Sequence, residues 1–190
     1  MAAAVESCRV IAPIHLIGPG GAGKSVTGTY LSEITGLPLL DLDEYFLRRI
    51  SGIGEYIQRS GYLAYAQENF RLYLQLAEEH GPRAIFVLSS GFMVYPDDCH
   101  EKYPDVRQRL EKHPGTILLI PSFSLDECVR MTVDRQSARD YLQTTIDRET
   151  QKIYRRFPRY MSLSCRKVET RGSIRDTALK VMSLIQADGL

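Results

Sequence analysis

Eight consecutive residues constrain this chain more than all the rest. Gly18-Pro19-Gly20-Gly21-Ala22-Gly23-Lys24-Ser25 follows a β-branched apolar run, Ile14 to Ile17, and opens a stretch, Lys24 to Thr35, that reads as a helix. The segment fits G-x-x-x-x-G-K-[ST] at every fixed position, in the strand–turn–helix context the pattern requires. Glycines without a Cβ let a backbone wrap closely around an anion. The N–H groups of Gly20, Gly21, Ala22, Gly23, Lys24, Ser25 and Val26 then form a nest, and the helix N-terminus adds positive potential. In a phosphate site of this type Lys24 would bridge the β- and γ-phosphates of a nucleotide, and the Ser25 hydroxyl would ligate Mg²⁺.

The rest of the chain alternates strand and helix. Pro13 marks the first strand's start. Leu37 to Leu42 reads as a second strand, Ala84 to Leu88 as a third and Thr116 to Ile120 as a fourth. Leu63, Ala66, Phe70, Leu74 and Ala77 recur at helical spacing and predict one buried face, stopped by Gly81-Pro82. Val106 and Leu110 suggest a short helix. Ser124 to Glu127 has capping-box spacing before another. Leu142, Ile146 and Ile153 share a face of a further helix, and Ala178, Leu179, Met182 and Ile185 point inward from a last one. Such alternation predicts an α/β fold, a parallel sheet covered on both sides, with ligands beyond the carboxyl ends of the strands. At 190 residues, one domain spanning the chain is expected.

The composition narrows the class. Hydrophobic residues at 44% and charged residues at 25% exclude collagen-like and disordered chains. No apolar run nears the roughly 20 residues that cross a bilayer. Cys8, Cys99, Cys128 and Cys165 lie far apart without a CxxC pair, so idle thiols and a reduced, cytoplasmic protein are expected over a zinc site or disulfides. Asp97-Asp98-Cys99-His100 reads as a polar loop rather than a metal site, and His15, His80 and His113 carry no evident chemistry.

The loop alone leaves kinase, ATPase, GTPase and regulator open. No NKxD motif follows, and the third strand ends Val87-Leu88-Ser89-Ser90-Gly91 with no Walker-B carboxylate. Asp41-Leu42-Asp43 supplies the acids. Two residues apart on an extended segment, both carboxylates face the crevice beside the loop. One can hold Mg²⁺ through water; the other can accept the proton of an attacking hydroxyl, or orient it.

With these residues in view, the sequence resembles the shikimate kinase family of P-loop small-molecule kinases. The shared marks are Gly18 to Ser25, Asp41-Leu42-Asp43, a looser stretch at Ile53-Gly54-Glu55-Tyr56-Ile57 and Gly61, and Arg156-Phe157-Pro158-Arg159-Tyr160. The resemblance implies a three-layer P-loop kinase fold with a central five-stranded parallel sheet flanked by helices. It implies an acceptor-binding helical region over about 44–80 and a lid over about 134–141. It makes Asp43 the candidate base at the acceptor hydroxyl and Asp41 the carboxylate near Mg²⁺. Arg156 corresponds to an arginine on the acceptor's carboxylate, Arg130 and Arg171 to residues beside adenine, and Arg139, or else Arg135, to the lid arginine on phosphate.

Two departures fall in the acceptor half. Ala66 stands where the family has a second carboxylate-binding arginine, with Tyr62 in place of a glutamate. Gly91-Phe92-Met93 replaces three glycines, which would reshape the acceptor pocket. Arg59 or Arg71 could fill the missing role if the alignment slips. The near-neutral total of +1 hides an asymmetry: residues 130 to 175 hold twelve basic and five acidic side chains, and the remainder twelve and eighteen. A basic patch can attract nucleic acid, but ATP is also a polyanion and aromatic interleaving is sparse. The expected activity is transfer of the γ-phosphoryl group of ATP to a hydroxyl of a small metabolite, shikimate or another cyclic or hydroxylated acceptor. A nucleotide-binding regulator is the rival. No nucleic-acid or membrane partner is expected, and the protein is expected to be a monomer or weak homo-oligomer.

Overall fold

A computed structural model describes residues 13–137 and 146–187. Five parallel strands form one sheet in the order β2-β3-β1-β4-β5. They are β1 (Ile14–Ile17), β2 (Leu39–Asp41), β3 (Ile85–Val87), β4 (Thr116–Ile120) and β5 (Arg166–Glu169). Register is set through the central strand, where Leu16 lies opposite Val87 on one side and Ile117 on the other. The helices are α1 (Lys24–Thr35), α2 (Leu42–Arg49), α3 (Ile53–His80), α4 (Tyr103–Lys112), α5 (Leu125–Ser137), α6 (Ile146–Ser162) and α7 (Ile174–Gln186).

Alternation along the strands divides the core. Ile14, Leu16, Ile85 and Val87 pack with Leu31 of α1 and with Ala178, Val181 and Ile185 of α7. Ile17, Leu40, Phe86 and Leu118 face the other way, onto Phe46 of α2 and onto Phe70, Tyr73 and Leu76 of α3. A smaller cluster of Ile120, Cys128, Ile153 and Phe157 binds α5 and α6 over the end of β4. His15 is enclosed on the second face, stacked on Phe86 at 5.2 Å. Burial pushes its pKa down to about 3, so it stays neutral and acts as core. Among the described residues no helix is long and apolar enough to cross a membrane.

Several expectations change. The second strand stops at Asp41, because Asp41 caps a helix that starts at Leu42. Its Oδ1 accepts from the N–H groups of Asp43 (3.0 Å) and Glu44 (3.4 Å). The signal was the D-x-x-E spacing of Asp41 and Glu44. The long helix starts earlier than its apolar stripe, at Ile53, and breaks at Gly61, where φ is +85°. Leu63, just past that break, is exposed, not inward. Ile146, the first residue of α6, is also exposed. In α7 the inward stripe is Ala178, Val181, Met182 and Ile185, while Leu179 lies about 100° round the helix in solvent. The capping-box glutamate Glu127 accepts from Ser122 Oγ at 2.8 Å. Leu142 lies outside the described residues. β5, Arg-Lys-Val-Glu, carries too little apolar character to read as a strand; it pairs as an edge beside β4.

Candidate active site

The loop between β1 and α1 reaches over the carboxyl end of the sheet. It can do so because Gly18 presses against β4: a Cβ there would lie 2.0 Å from the Leu119 carbonyl oxygen, and φ is +136°. Gly21 and Gly23 also hold positive φ, at +71° and +83°. These turns aim successive N–H groups at one point, the nest that an anion needs. Ala22 is buried in the cluster of Leu16 and Leu31, while Val26 is exposed on the first turn of α1. Lys24 is buried, and its ammonium donates to the carbonyls of Gly18 and Pro19, both at 2.9 Å. The loop therefore folds around its own cation.

Asp41 ties this loop to β2. Ser25 Oγ donates to Asp41 Oδ2 at 2.6 Å, while Oδ1 caps α2. A hydroxyl and a carboxylate side by side are hard oxygen donors, the set that suits Mg²⁺. Among the described residues no three His, Cys, Asp or Glu side chains converge as a metal cage. An ion here would take Ser25, Asp41 and ligand oxygens, as Mg²⁺ in nucleotide sites does.

Asp43 points elsewhere. It stands in the first turn of α2, and Ser89 Oγ, at the end of β3, donates to its Oδ1 at 2.5 Å. The two carboxylates thus both reach the crevice, by a helix start rather than by an extended strand. Asp41 serves the loop; Asp43 serves the opposite wall.

That wall is built of tyrosines. Tyr62, Tyr65 and Tyr95 pack ring against ring at 5.9–6.2 Å. Burial raises the pKa of Tyr65 and Tyr95 far above the phenol range, helped for Tyr65 by the charge of Asp43 and for Tyr95 by its tyrosine neighbours. Arg156 of α6 donates to Tyr62 OH at 2.9 Å and, at the edge of hydrogen-bond range, to the Ser90 carbonyl at 3.4 Å. Tyr160, pushed up to about 12 by burial, also donates to that carbonyl. Gly91 leaves room for the group: a Cβ would fall 2.4 Å from Tyr62 OH and 3.2 Å from the Arg156 guanidinium. Pro19, Gly20, Ser90, Ile153 and Arg156 line the crevice between loop and α6.

The other expected acceptor residues are placed differently. Ala66 is enclosed in the core with Phe46 and Phe70. Phe92 has its whole ring inside the same core, edge-on to Tyr73 at 5.1 Å, so it fills the interior and not the acceptor pocket. Met93 lines a separate cleft with Asp97, Arg107 and Arg159. Arg71 pairs with Glu68 on an exposed face, and Arg59 lies over the Tyr56 ring. Neither takes the place of the missing arginine.

On the far side of the loop, Arg171 donates to Ser122 Oγ at 2.6 Å and pairs with Glu127 and Glu169. Arg130 is exposed on α5 close to Glu127. Arg135 and Asp134, assigned to a lid, belong to α5. Arg135 donates to the Gly21 carbonyl (3.1 Å) and to Thr170 Oγ1 (3.1 Å) and O (2.7 Å), so it clamps the loop from behind. Arg139 and the rest of the expected lid lie outside the described residues. Sequence reading missed Asn69 and Tyr95 and gave Ser89 and Tyr160 no role, because their partners are tens of residues away.

The sequence model of the family described as "Shikimate kinase" matches residues 20–186. The chain belongs to the shikimate kinase family. A shikimate kinase of Paracidovorax citrulli is 34% identical over 84 residues, which cover 44% of this chain and 46% of that enzyme. The match thus spans about half the length of that curated relative. Among solved structures, a shikimate kinase from Acinetobacter baumannii in complex with shikimate superposes with a TM-score of 0.72. Its identity is 22%, over 95% of this chain and 96% of that one. A shikimate kinase from Aquifex aeolicus gives 0.68 at 18% identity, over 94% and 98%. At these identities the structures establish the P-loop kinase fold, and the family assignment rests on the sequence match.

Proposed function

We propose that this chain is an ATP-dependent phosphotransferase that moves the γ-phosphoryl group to a hydroxyl of a small acceptor. The observation that carries the reading is the division of labour between two neighbouring carboxylates. Asp41 is bonded to the loop hydroxyl of Ser25, and Asp43 to Ser89 on the acceptor wall. Kinases that transfer to a hydroxyl use one acid on the metal side and one at the nucleophile.

In this reading the N–H groups of residues 20–26 hold the phosphates, and Lys24 turns from its loop carbonyls to the β- and γ-oxygens. Mg²⁺, held by Ser25 and Asp41, would neutralise charge on the phosphates. Arg130 and Arg171 flank the base, and Arg139 adds positive charge at the transferred group. Tyr62 and Arg156 hold the acceptor, with Gly91 giving its backbone room. Asp43 takes the hydroxyl proton as the acceptor oxygen bonds to phosphorus and the bridging bond to ADP breaks. Three buried, unpaired thiols, Cys99, Cys128 and Cys165, support a reducing, cytoplasmic setting.

The solved relative that holds shikimate makes shikimate the first acceptor to try. A second reading is favoured by Ala66, which offers no charge to a carboxylate, and by Tyr62, which already occupies Arg156. Under it the acceptor is a cyclic or open polyol with less negative charge. ADP release from MgATP should rise with one of shikimate, quinate, gluconate or myo-inositol, and the rise should vanish in Asp43→Asn. No stimulation by any of them, or an unchanged rate in Asp43→Asn, overturns the proposal.

A further inference from the structure

We propose that Tyr95, Asn69 and Ser89 form a one-way hydrogen-bond chain that positions Asp43 for its acceptor, an inference that rests on Asp43 as the group receiving the hydroxyl. Tyr95 OH lies 3.0 Å from Asn69 Oδ1, Asn69 Nδ2 lies 2.9 Å from Ser89 Oγ, and Ser89 Oγ lies 2.5 Å from Asp43 Oδ1. Asn69 is fully buried, so both ends of its amide must find partners inside the protein.

The direction follows from the inventory of donors. An ionised carboxylate only accepts, so the single proton of Ser89 goes to Asp43. Ser89 then has only lone pairs to offer Asn69, so the amide must turn its NH₂ toward Ser89. Its carbonyl consequently faces Tyr95, and Tyr95 must donate. Each orientation is fixed by the one before it. The far end is anchored as well: the Tyr95 N–H donates to Tyr103 OH (3.0 Å), and Tyr103 OH donates to the Phe92 carbonyl (2.6 Å).

Such a chain gives Asp43 what its location lacks. A carboxylate in the exposed first turn of a short helix has several staggered rotamers open to it. The Ser89 bond selects one and reaches back through α3 into the core. Because well-placed reacting groups gain most of their advantage from orientation, losing that selection lowers turnover without weakening binding. Ser89, Asn69 and Tyr95 are thus positioning residues, acting through Asp43.

The test uses the full chain, MgATP and whichever of shikimate, quinate, gluconate or myo-inositol gives the largest ADP release. Ser89→Ala is expected to lower kcat by roughly 10–100-fold while KM for ATP and acceptor stay within about twofold. Ser89→Thr, which keeps the hydroxyl, restores most of kcat. Asn69→Asp has nearly the same shape, but its second oxygen draws the Ser89 proton away from Asp43. It should lower kcat alone and add nothing in the Ser89→Ala background. If Asn69→Asp does not fold, Tyr95→Phe carries the same comparison: a smaller fall alone and none on top of Ser89→Ala. Wild-type kcat in Ser89→Ala, or additive losses in the double variants, overturns the chain while leaving Asp43 in its role. Wild-type turnover in Asp43→Asn, or no acceptor-stimulated ADP release at all, overturns the underlying reading and the chain with it.

Discussion

The phosphate loop and the tyrosine wall meet at Asp41 and Asp43 but are built in opposite ways. The loop relies on backbone. Its glycines turn N–H groups inward, and Lys24 is held by carbonyls five and six residues away. The wall relies on side chains gathered from α3, the segment after β3, and α6, with bonds such as Arg156 to Tyr62 spanning 94 residues. A backbone nest suits any phosphate and tolerates little change. A wall of hydroxyls and one guanidinium can be altered residue by residue, which is how an acceptor site changes while the nucleotide site stays fixed.

Substitutions at four positions sharpen or break that contrast. Lys24→Ala has the largest effect: kcat should fall by roughly 10²–10³-fold, since it removes the charge proposed to turn from the loop carbonyls to the transferred group. It should depress acceptor-free ATP hydrolysis alongside transfer. Arg156→Gln should act only on the wall, raising the acceptor KM about 10–100-fold through one lost charge-assisted bond, with the ATP KM unchanged. An equal rise in both KM values breaks the contrast. Ala66→Arg is the test of whether the wall can simply regain the family's arginine. Position 66 is enclosed, so the variant should lose about 1–3 kcal/mol or more of stability to overpacking, and thermal unfolding should show it. A lowered KM for a carboxylate acceptor instead would mean that the wall opens. The smallest effect separates the two tasks of Asp41. Asp41→Ala should lose about 1 kcal/mol through the helix cap, whereas Asp41→Asn keeps the cap and loses only charge. Denaturant midpoints distinguish them, and both variants should need more Mg²⁺ for full activity.

The loop was legible because its pattern is local: eight adjacent residues carry the motif, and the strands beside it, β1, β3 and β4, are short and largely apolar. Helix α2 was written in the D-x-x-E spacing at Asp41 but masked by the apolar residues before it. The wall was not legible, since nothing near Ser89 in sequence announces Asp43 or Asn69. Phe92 shows the limit of arguing from a family pattern. Its place in the alignment suggested a pocket residue, but a backbone that can set a glycine against a ligand can equally turn a ring into the core. Arg135 teaches the converse. Its sequence position suggested a lid, while its three bonds make it a brace.

That brace bears on how the protein is made. Arg135 joins Gly21, in the loop after β1, to Thr170, just after β5. A ribosome delivers domains N-terminus first. When Ser137 has emerged, β1, β2, β3 and β4 are all available to assemble, but the second anchor of Arg135 has not been synthesised. The nascent chain therefore holds a nearly complete sheet and an unlatched loop until β5 docks beside β4. The loop is braced on both sides only after Thr170 has been made, so a polypeptide cut short of Thr170 would have much of the sheet and only the Gly21 half of the latch.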